Sequence, residues 1–338
     1  MSIINNLYSC NIVVPPANKN IAHGQRRHIF LLIALGACVG LYFLLQGMRI
    51  MKEGLENLSR EKMRRSLAVL TATPVRGALT GTLLTTLTQS STAISVLSVG
   101  FVNAGLMGLE QAVAILLGAN VGTCVTVQLI SLDLFRLAIP AAMLGLVLWA
   151  LKGRSPVGQL GRALFGFGLV FTGLWLMAKS LAPLQHASWF TVTIMYLQHN
   201  HLLSVLAGVL ASALLHSSAA ATGIVMLLSN QNLIELPTAV AMVLGNNIGT
   251  CITAVLASIS GPRAGKQVAA AHVLLNIFGA IIFLPLIKPF ALLVGLTAGD
   301  LPRQVANAHT IFNVASSLLV LPVVRPFTAL IRLLVPDR

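Results

Sequence analysis

Two short runs of hydroxyl, amide and imidazole side chains interrupt apolar parts of this chain. Hydroxyl groups donate hydrogen bonds to anions and offer an oxygen to cations, and a glutamine amide does both. The two runs are therefore candidates for binding an anion together with small cations. The first run is Gln89, Ser90, Ser91 and Thr92, and the second is His216, Ser217 and Ser218, followed by Ala219.

Neither run has a basic residue near it in the sequence. No Lys or Arg lies between Arg76 and Arg136, or between Lys179 and Arg263. A divalent anion that enters a membrane without a cation faces a large desolvation cost. We therefore expect its countercharge to come mainly from helix dipoles and co-bound cations, so that an anion would be carried together with Na⁺ or H⁺.

The two runs belong to an internal duplication. Residues 80–132 align without a gap to residues 207–259, and 21 of the 53 pairs are identical. The matches include a G-x-N-x-G-T-C-x-T motif, which places Asn120 on Asn247 and Thr123 on Thr250. A second, shorter repeat follows, with "AHVLLNIF" at 271–278 and "AHTIFNVA" at 308–315. Such self-similarity indicates a repeat architecture.

Glycines flank the first polar run, so residues 77–105 form either one span or two half-helices that meet near Gln89. A helix broken at membrane depth is tolerated where it lines a cavity. The second half-helix would then point its positive N-terminal end at a bound anion. Interruptions at matching positions in two halves are typical of a transporter binding site.

The composition places the whole chain in a membrane. It is 56% apolar and 9% charged over 338 residues, far from the roughly 25% charged residues of soluble domains. Windows such as 180–234 carry no charge and exceed the roughly 20 residues of a membrane helix. The net charge of +14 comes from segment ends and from the stretch Arg49–Arg76, so we expect lipid and not nucleic acid as the partner.

Four further local patterns bear on the fold and the site. Residues 26–38 resemble a secretion signal, but the apolar run continues through Leu45, which favours a first membrane helix. Residues 49–65 have the pattern of an amphipathic helix on the membrane surface. The four cysteines show no metal-binding or disulfide spacing. His272 with Asn276 and His309 with Asn313 either line the cavity or form helix–helix hydrogen bonds, which we favour.

Several of these segments together resemble the type II sodium–phosphate cotransporter family and its bacterial relatives. The likeness covers about residues 40–280 in order and rests on "TQSSTA", "GFVNAGL", "LLGANVGTCVT", "LHSSAAATGI", "VLGNNIGTCITAVLASI" and "AAAHVLLNIFG". It implies an all-α fold with two inverted repeats and paired re-entrant hairpins. It also implies phosphate as substrate and Na⁺ as coupling ion, with no other cofactor.

The resemblance assigns roles position by position. It implies that the two polar runs bind the substrate and ions, with Asn120, Thr123, Asn247 and Thr250 on the helix beside each hairpin. Sodium would be held at Gln89, Ser91, Thr92 and Ser218. Replacing Ser90 or Ser217 with alanine is then expected to abolish uptake.

The second run departs from the family pattern because it reads H-S-S-A. His216 replaces a glutamine and Ala219 lacks a hydroxyl, which weakens or removes a cation site on that side. His216 either takes over the glutamine hydrogen bond, carries a proton, or donates to the anion. A proton-coupled or other-anion transporter, a membrane enzyme using Ser90 or Ser217 with His216, and a non-transporting regulator are the alternatives. We expect a transporter and not an enzyme.

These observations give a provisional division of the chain. A polar segment occupies 1–28, a first repeat 29–160, a second repeat 161–294 and a C-terminal helix 295–338. Many bacterial relatives carry a soluble helical tail resembling the phosphate regulator PhoU, and we expect this chain to represent the form without it. The expected location is the plasma membrane, which in a bacterium is the inner membrane, with multiple passes.

Overall fold

The computed structural model describes residues 21–69, 73–132 and 134–336, and all regular structure in this part is helical. Three short 3₁₀ turns, at Ala182–His186, Leu284–Leu286 and Leu321–Val323, join consecutive helices. The helices are α1 (Ile21–Val69), α2 (Pro74–Thr88), α3 (Ser91–Asn103), α4 (Leu109–Ser131), α5 (Phe135–Lys152), α6 (Pro156–Leu181), α7 (Ser188–His199), α8 (His201–Leu215), α9 (Ser218–Asn230), α10 (Leu236–Gly249), α11 (Ile252–Ser258), α12 (Arg263–Phe283), α13 (Ile287–Gly295), α14 (Leu301–Val320) and α15 (Val324–Leu334).

Seven helical stretches of the described residues are long and apolar enough to cross a membrane. The prediction of an all-α polytopic membrane protein is therefore confirmed at this level. The stretches are Leu31–Leu58, Leu109–Ser131, Phe135–Lys152, Pro156–His186, Leu236–Ser258, Arg263–Gly295 and Leu301–Leu334. Three shorter apolar helices, α3, α8 and α9, do not reach this length.

The first long helix corrects one prediction. Residues 49–65 do not form a separate helix on the membrane surface, because α1 runs without interruption from Ile21 to Val69. Its backbone packs directly on α6, where a Cβ on Gly47 would lie 2.6 Å from the Val170 nitrogen. Small residues allow membrane helices to approach this closely. The contact holds residues 49–55 against the bundle and in line with the apolar residues before them.

The duplication seen in the sequence is repeated in the helix contacts. A Cβ on Gly118 would lie 1.8 Å from the Ala78 carbonyl oxygen, and a Cβ on Gly245 would lie 1.9 Å from the Val205 carbonyl oxygen. Both residues of the first pair are 127 positions from their counterparts in the second. Helix α4 thus packs on α2 as α10 packs on α8, with backbone against backbone in both cases.

The C-terminal part contains two similar helical units. Helices α12 and α13 are joined at Pro285, and α14 and α15 are joined at Pro322, 37 residues later. The segment 295–338 thus contains two helices where we expected one. The other divisions stay predictions, although the boundary at 160/161 lies inside α6. The predicted segment 1–28 falls largely outside the described residues.

Candidate functional site

The first polar run forms a break between α2 and α3. Helix α2 ends at Thr88, and Gln89 then adopts a left-handed conformation with φ 54° and ψ 31°. A non-glycine residue in this region costs about 1–2 kcal/mol, and such strain concentrates at functional sites. Ser90 is not helical, and α3 begins at Ser91. The chain from 74 to 103 is called the first broken segment below.

The second polar run forms a break of the same geometry between α8 and α9. His216 is left-handed with φ 51° and ψ 28°, and α9 begins at Ser218. Apart from Asn232, Gln89 and His216 are the non-glycine residues with positive φ in the described part of the chain. The backbone therefore repeats even where the side chain changes from glutamine to histidine. The chain from 201 to 230 is called the second broken segment.

Each break is closed by a serine that starts the next helix. The Ser90 hydroxyl accepts a hydrogen bond from the Ala93 N–H at 3.2 Å, and the Ser217 hydroxyl accepts one from the Ala220 N–H at 3.2 Å. A side-chain cap of this kind satisfies one of the free N–H groups at the beginning of a helix. The N-terminal ends of α3 and α9 are thereby fixed next to the two breaks.

Both breaks open onto one small cavity, which also receives side chains from α1, α4 and the junction of α10 with α11. The side chains are mostly hydroxyls, with one amide and one ammonium group. Its lining residues are Lys52, Gln89, Ser91, Thr92, Thr123, Thr126, Ser217, Ser218, Ala219 and Thr250. The structure thus brings together seven predicted site residues that are far apart in sequence.

The cavity is narrow in this conformation. Its volume of about 10 Å³ corresponds to the space needed for about one water molecule. A dehydrated monovalent cation fits such a space. An anion of five heavy atoms does not fit into this space unless the cavity widens.

Four predicted site residues do not line the cavity. Ser90 caps α3, while Asn120 and Asn247 turn toward the C-terminal helices. His216 is exposed, whereas its counterpart Gln89 is 7% exposed. In this conformation none of these four side chains reaches the cavity, so any contribution they make is to the positions of the helices around it.

The two asparagines of the repeated motif make equivalent bonds to the C-terminal helices. The Asn120 amide donates to Asn276 Oδ1 on α12 at 3.3 Å, and the Asn247 amide donates to Asn313 Oδ1 on α14 at 3.2 Å. The preferred interpretation of the His–Asn pairs as helix–helix hydrogen-bonding groups is thus confirmed for their asparagines. Each bond ties a site helix to one of the two C-terminal units.

Gln89 offers an acceptor that nothing in the described chain uses. Its amide nitrogen donates to the Thr86 carbonyl at 2.6 Å, while its Oε1 atom is buried with no hydrogen-bond partner. Buried polar atoms without a partner are uncommon in folded proteins. Gln89 lines the same cavity as Thr92, and an unpartnered oxygen together with a hydroxyl suits a small cation.

Two cavity residues were missed from the sequence. Thr126 belongs to the repeated G-x-N-x-G-T-C-x-T motif, so the duplication itself contained the signal. Lys52 was missed because residues 49–65 were assigned to the membrane surface. Gly40, Gly47 and Gly54 all contact α6 and are seven residues apart, which is the signal that one helix continues through Lys52.

The Lys52 side chain also corrects the predicted charge distribution. Basic residues are absent from the sequence around both polar runs, yet α1 brings an ammonium group to the cavity wall. The countercharge for an anion is therefore not limited to helix dipoles and co-bound cations.

The sequence matches known proteins over most of its length. Residues 43–179 and 184–296 match the family described as Na⁺/Pi-cotransporter. A Bacillus subtilis protein, YqeW, is 33% identical over 255 residues, which cover 75% of this chain and 83% of YqeW. No solved structure gives a significant match.

Two further relatives carry functional descriptions. A Salmonella typhimurium protein named "Putative inorganic phosphate export protein YjbB" is 31% identical over 61% of this chain, which corresponds to 38% of its own length. The rabbit "Sodium-dependent phosphate transport protein 2A" is 39% identical over 61 residues, or 18% of this chain and 10% of that protein. With its membrane-compatible helices, the chain is a multi-pass integral membrane protein and a transporter rather than an enzyme. The chain belongs to the Na⁺/Pi-cotransporter family.

Proposed function

We propose that this protein binds inorganic phosphate between the two broken segments and carries it across the membrane together with Na⁺. The observation that carries the proposal is the single cavity into which both breaks open, with Ser91 and Ser218 at the starts of α3 and α9. Helix N-termini and hydroxyls suit an anion. The family to which the chain belongs supplies phosphate as the anion and Na⁺ as the ion.

In this proposal the cation site lies on the first broken segment. Gln89 Oε1 is unpartnered, and the hydroxyls of Ser91 and Thr92 line the same wall. Ser218 contributes from the second segment. Carbonyl oxygens at a helix break commonly complete sodium sites in transporters, and the hard Na⁺ ion matches this all-oxygen set.

The proposal also includes the topology. The two duplicated units would lie in the membrane in opposite orientations, and the broken segments would enter and leave on the same side as re-entrant hairpins. The equal contacts of α4 on α2 and of α10 on α8 support two equivalent units. Inverted repeats of this kind let a transporter expose one central site to each side in turn.

The direction of transport depends on the driving gradient and on the resting orientation. YjbB is named for inorganic phosphate export, while the rabbit relative is named for sodium-dependent phosphate transport. We propose that phosphate transport is coupled to Na⁺. The direction of the Na⁺ gradient across the membrane then determines whether phosphate enters or leaves.

The test is radiolabelled phosphate uptake into proteoliposomes with an inward Na⁺ gradient, a proton gradient, or neither. We expect uptake with the Na⁺ gradient alone. Uptake driven only by protons would replace Na⁺ as the coupling ion. No uptake of phosphate under any gradient, from protein that remains monodisperse, would contradict the proposal and favour another anion or a regulatory role.

A matched pair of variants links the transport to the cavity. The double variant Ser91→Ala/Ser218→Ala removes two hydroxyls that line it. Ser98→Ala removes a buried hydroxyl that bonds the Ile94 carbonyl of its own helix at 2.8 Å. We expect the double variant to lose uptake and Ser98→Ala to retain it. Equal rates in the two variants would place the binding site elsewhere.

A further inference from the structure

The lysine on α1 faces a site that the sequence presents as uncharged. Lys52 lies one helical turn after Met48, which is buried in the core, and residues four apart share one face of a helix. Its side chain is half-buried and lines the cavity together with Ser91, Thr92 and Ser218. Among the residues that line this cavity, Lys52 has the sole basic side chain.

Neighbouring acids do not account for all of the hydrogen-bonding capacity of Lys52. Glu53, the next residue, pairs with Arg49 at 2.9 Å and with Arg162 on α6. Glu56 lies one turn further along α1 and therefore on the same face of the helix as Lys52. An ammonium group has three donors, so an attraction to Glu56 leaves donors that can reach into the cavity.

The two broken segments are unequal on the side where a second cation would sit. At the first break, Gln89 Oε1 is buried and unpartnered, and Thr92 adds a hydroxyl. At the second break, His216 is exposed and Ala219 presents a methyl group to the cavity. The second break therefore lacks two oxygens that the first one offers to a cation.

We infer that the Lys52 ammonium is a fixed countercharge for the bound anion and takes the place of a second coupling cation. The inference rests on the proposed function, because it assumes that an anion occupies this cavity. One mobile Na⁺ at the first break and one lysine on α1 then together neutralise a divalent anion such as hydrogen phosphate. Without the lysine, the second break has too few oxygen ligands to hold another cation in its place.

This arrangement makes opposite predictions for the two ligands. Lys52 attracts the anion, and it repels a Na⁺ ion that binds alone in the same small cavity. Removing the charge should therefore weaken phosphate binding and strengthen Na⁺ binding in the absence of phosphate. A purely structural role for Lys52, as a partner of Glu56, would weaken both or neither.

The experiment compares wild type, Lys52→Met, Lys52→Arg and the control Lys152→Met as full-length proteins in detergent. Lys152 is exposed at the end of α5. Phosphate binding is measured with radiolabelled phosphate at saturating Na⁺, and Na⁺ binding is measured with radiolabelled Na⁺ without phosphate. Losing a hydrogen bond that involves a charged group lowers the affinity for a ligand about tenfold or more.

For Lys52→Met we expect the dissociation constant of phosphate to rise about tenfold or more and that of Na⁺ to fall. Lys52→Arg keeps the charge and should stay within a few-fold of wild type, while Lys152→Met should match it. In wild type, Na⁺ activation of phosphate uptake should have a Hill coefficient near one.

The outcomes separate the two proposals. Unchanged phosphate affinity in Lys52→Met, or weaker binding of both ligands, overturns the role of Lys52 as a countercharge. Phosphate uptake by the wild-type protein still leaves the proposed function in place. A Hill coefficient near two in wild type also overturns this role of Lys52. Wild-type protein that neither binds nor transports phosphate overturns the proposed function, and the countercharge falls with it.

Discussion

The two broken segments share a backbone but differ in what they present to the cavity. Gln89 and His216 have nearly the same left-handed geometry, with φ 54° and 51°. Nevertheless the glutamine is buried with a free oxygen, and the histidine is exposed. The turn is therefore preserved in both halves, whereas the side chains at the turn have diverged.

A second difference lies in the helices beside the breaks. Helix α4 continues through Thr123 to Ser131, whereas α10 ends at Gly249 and α11 begins at Ile252, so that Thr250 lies in a short interruption. Both threonines still line the cavity. The second half of the site thus has less regular backbone and fewer side-chain oxygens than the first.

The largest expected effect concerns the contacts that the two halves share. Gly118→Leu and Gly245→Leu each place a side chain where a backbone oxygen lies within 2 Å of the first added carbon. We expect both to lose folded protein, measured as the monodisperse fraction after extraction. Gly100→Leu is the control, because a Cβ there has open space within 4 Å. Normal yield of either variant would contradict the close packing of both halves.

The next effect separates the two left-handed residues. Gln89→Leu and His216→Leu put the same side chain at the same strained backbone, so the cost of the left-handed conformation is matched. We expect Gln89→Leu to raise the Na⁺ concentration for half-maximal uptake about tenfold or more, since it removes the unpartnered oxygen to which the proposal assigns the cation. His216→Leu should change it less than about twofold on the same scale. The reverse order would place the cation at the second break.

A smaller difference is expected between the two capping serines. Ser90→Ala and Ser217→Ala each lose a helix cap worth about 1 kcal/mol, and we expect reduced uptake in both. The loss should be several-fold greater for Ser217→Ala, because Ser217 lines the cavity and Ser90 does not. Threonine at either position restores the cap and is the control. Wild-type uptake rates in both alanine variants would exclude a site built from the two breaks.

The smallest effect tests whether the second break can be made to resemble the first. Ala219→Ser adds a hydroxyl to the cavity wall, and Ala220→Ser adds one at a neighbouring buried position that does not line it. We expect Ala219→Ser to lower the Na⁺ concentration for half-maximal uptake by about twofold. This ratio corresponds to a free energy smaller than that of one hydrogen bond. Ala220→Ser should not lower this concentration. No difference between these variants would mean that oxygens at this position do not reach the cation.

Much of the fold followed from composition and periodicity. Charge-free apolar segments predicted a multi-pass helical protein. For residues 77–105 the sequence left two alternatives, one span or two half-helices, and the structure contains the break near Gln89. The sequence did not choose between them because a helix broken at membrane depth is tolerated only where neighbouring helices enclose it. The surface helix at 49–65 was wrong because a local charge pattern cannot show that neighbouring helices cover part of it.

The pairing of residues across the two halves can be read from the sequence alone. The 127-residue shift matched Gln89 with His216, Gly118 with Gly245 and Asn120 with Asn247. The structure repeats the left-handed backbone of the first pair, the backbone contacts of the second and the side-chain hydrogen bonds of the third. Which members of these pairs reach the cavity, and that Lys52 joins them from α1, became clear from the packing of the helices. The reason is that a repeat fixes local geometry, whereas access to a shared cavity depends on which helices meet there and on which face they turn inward.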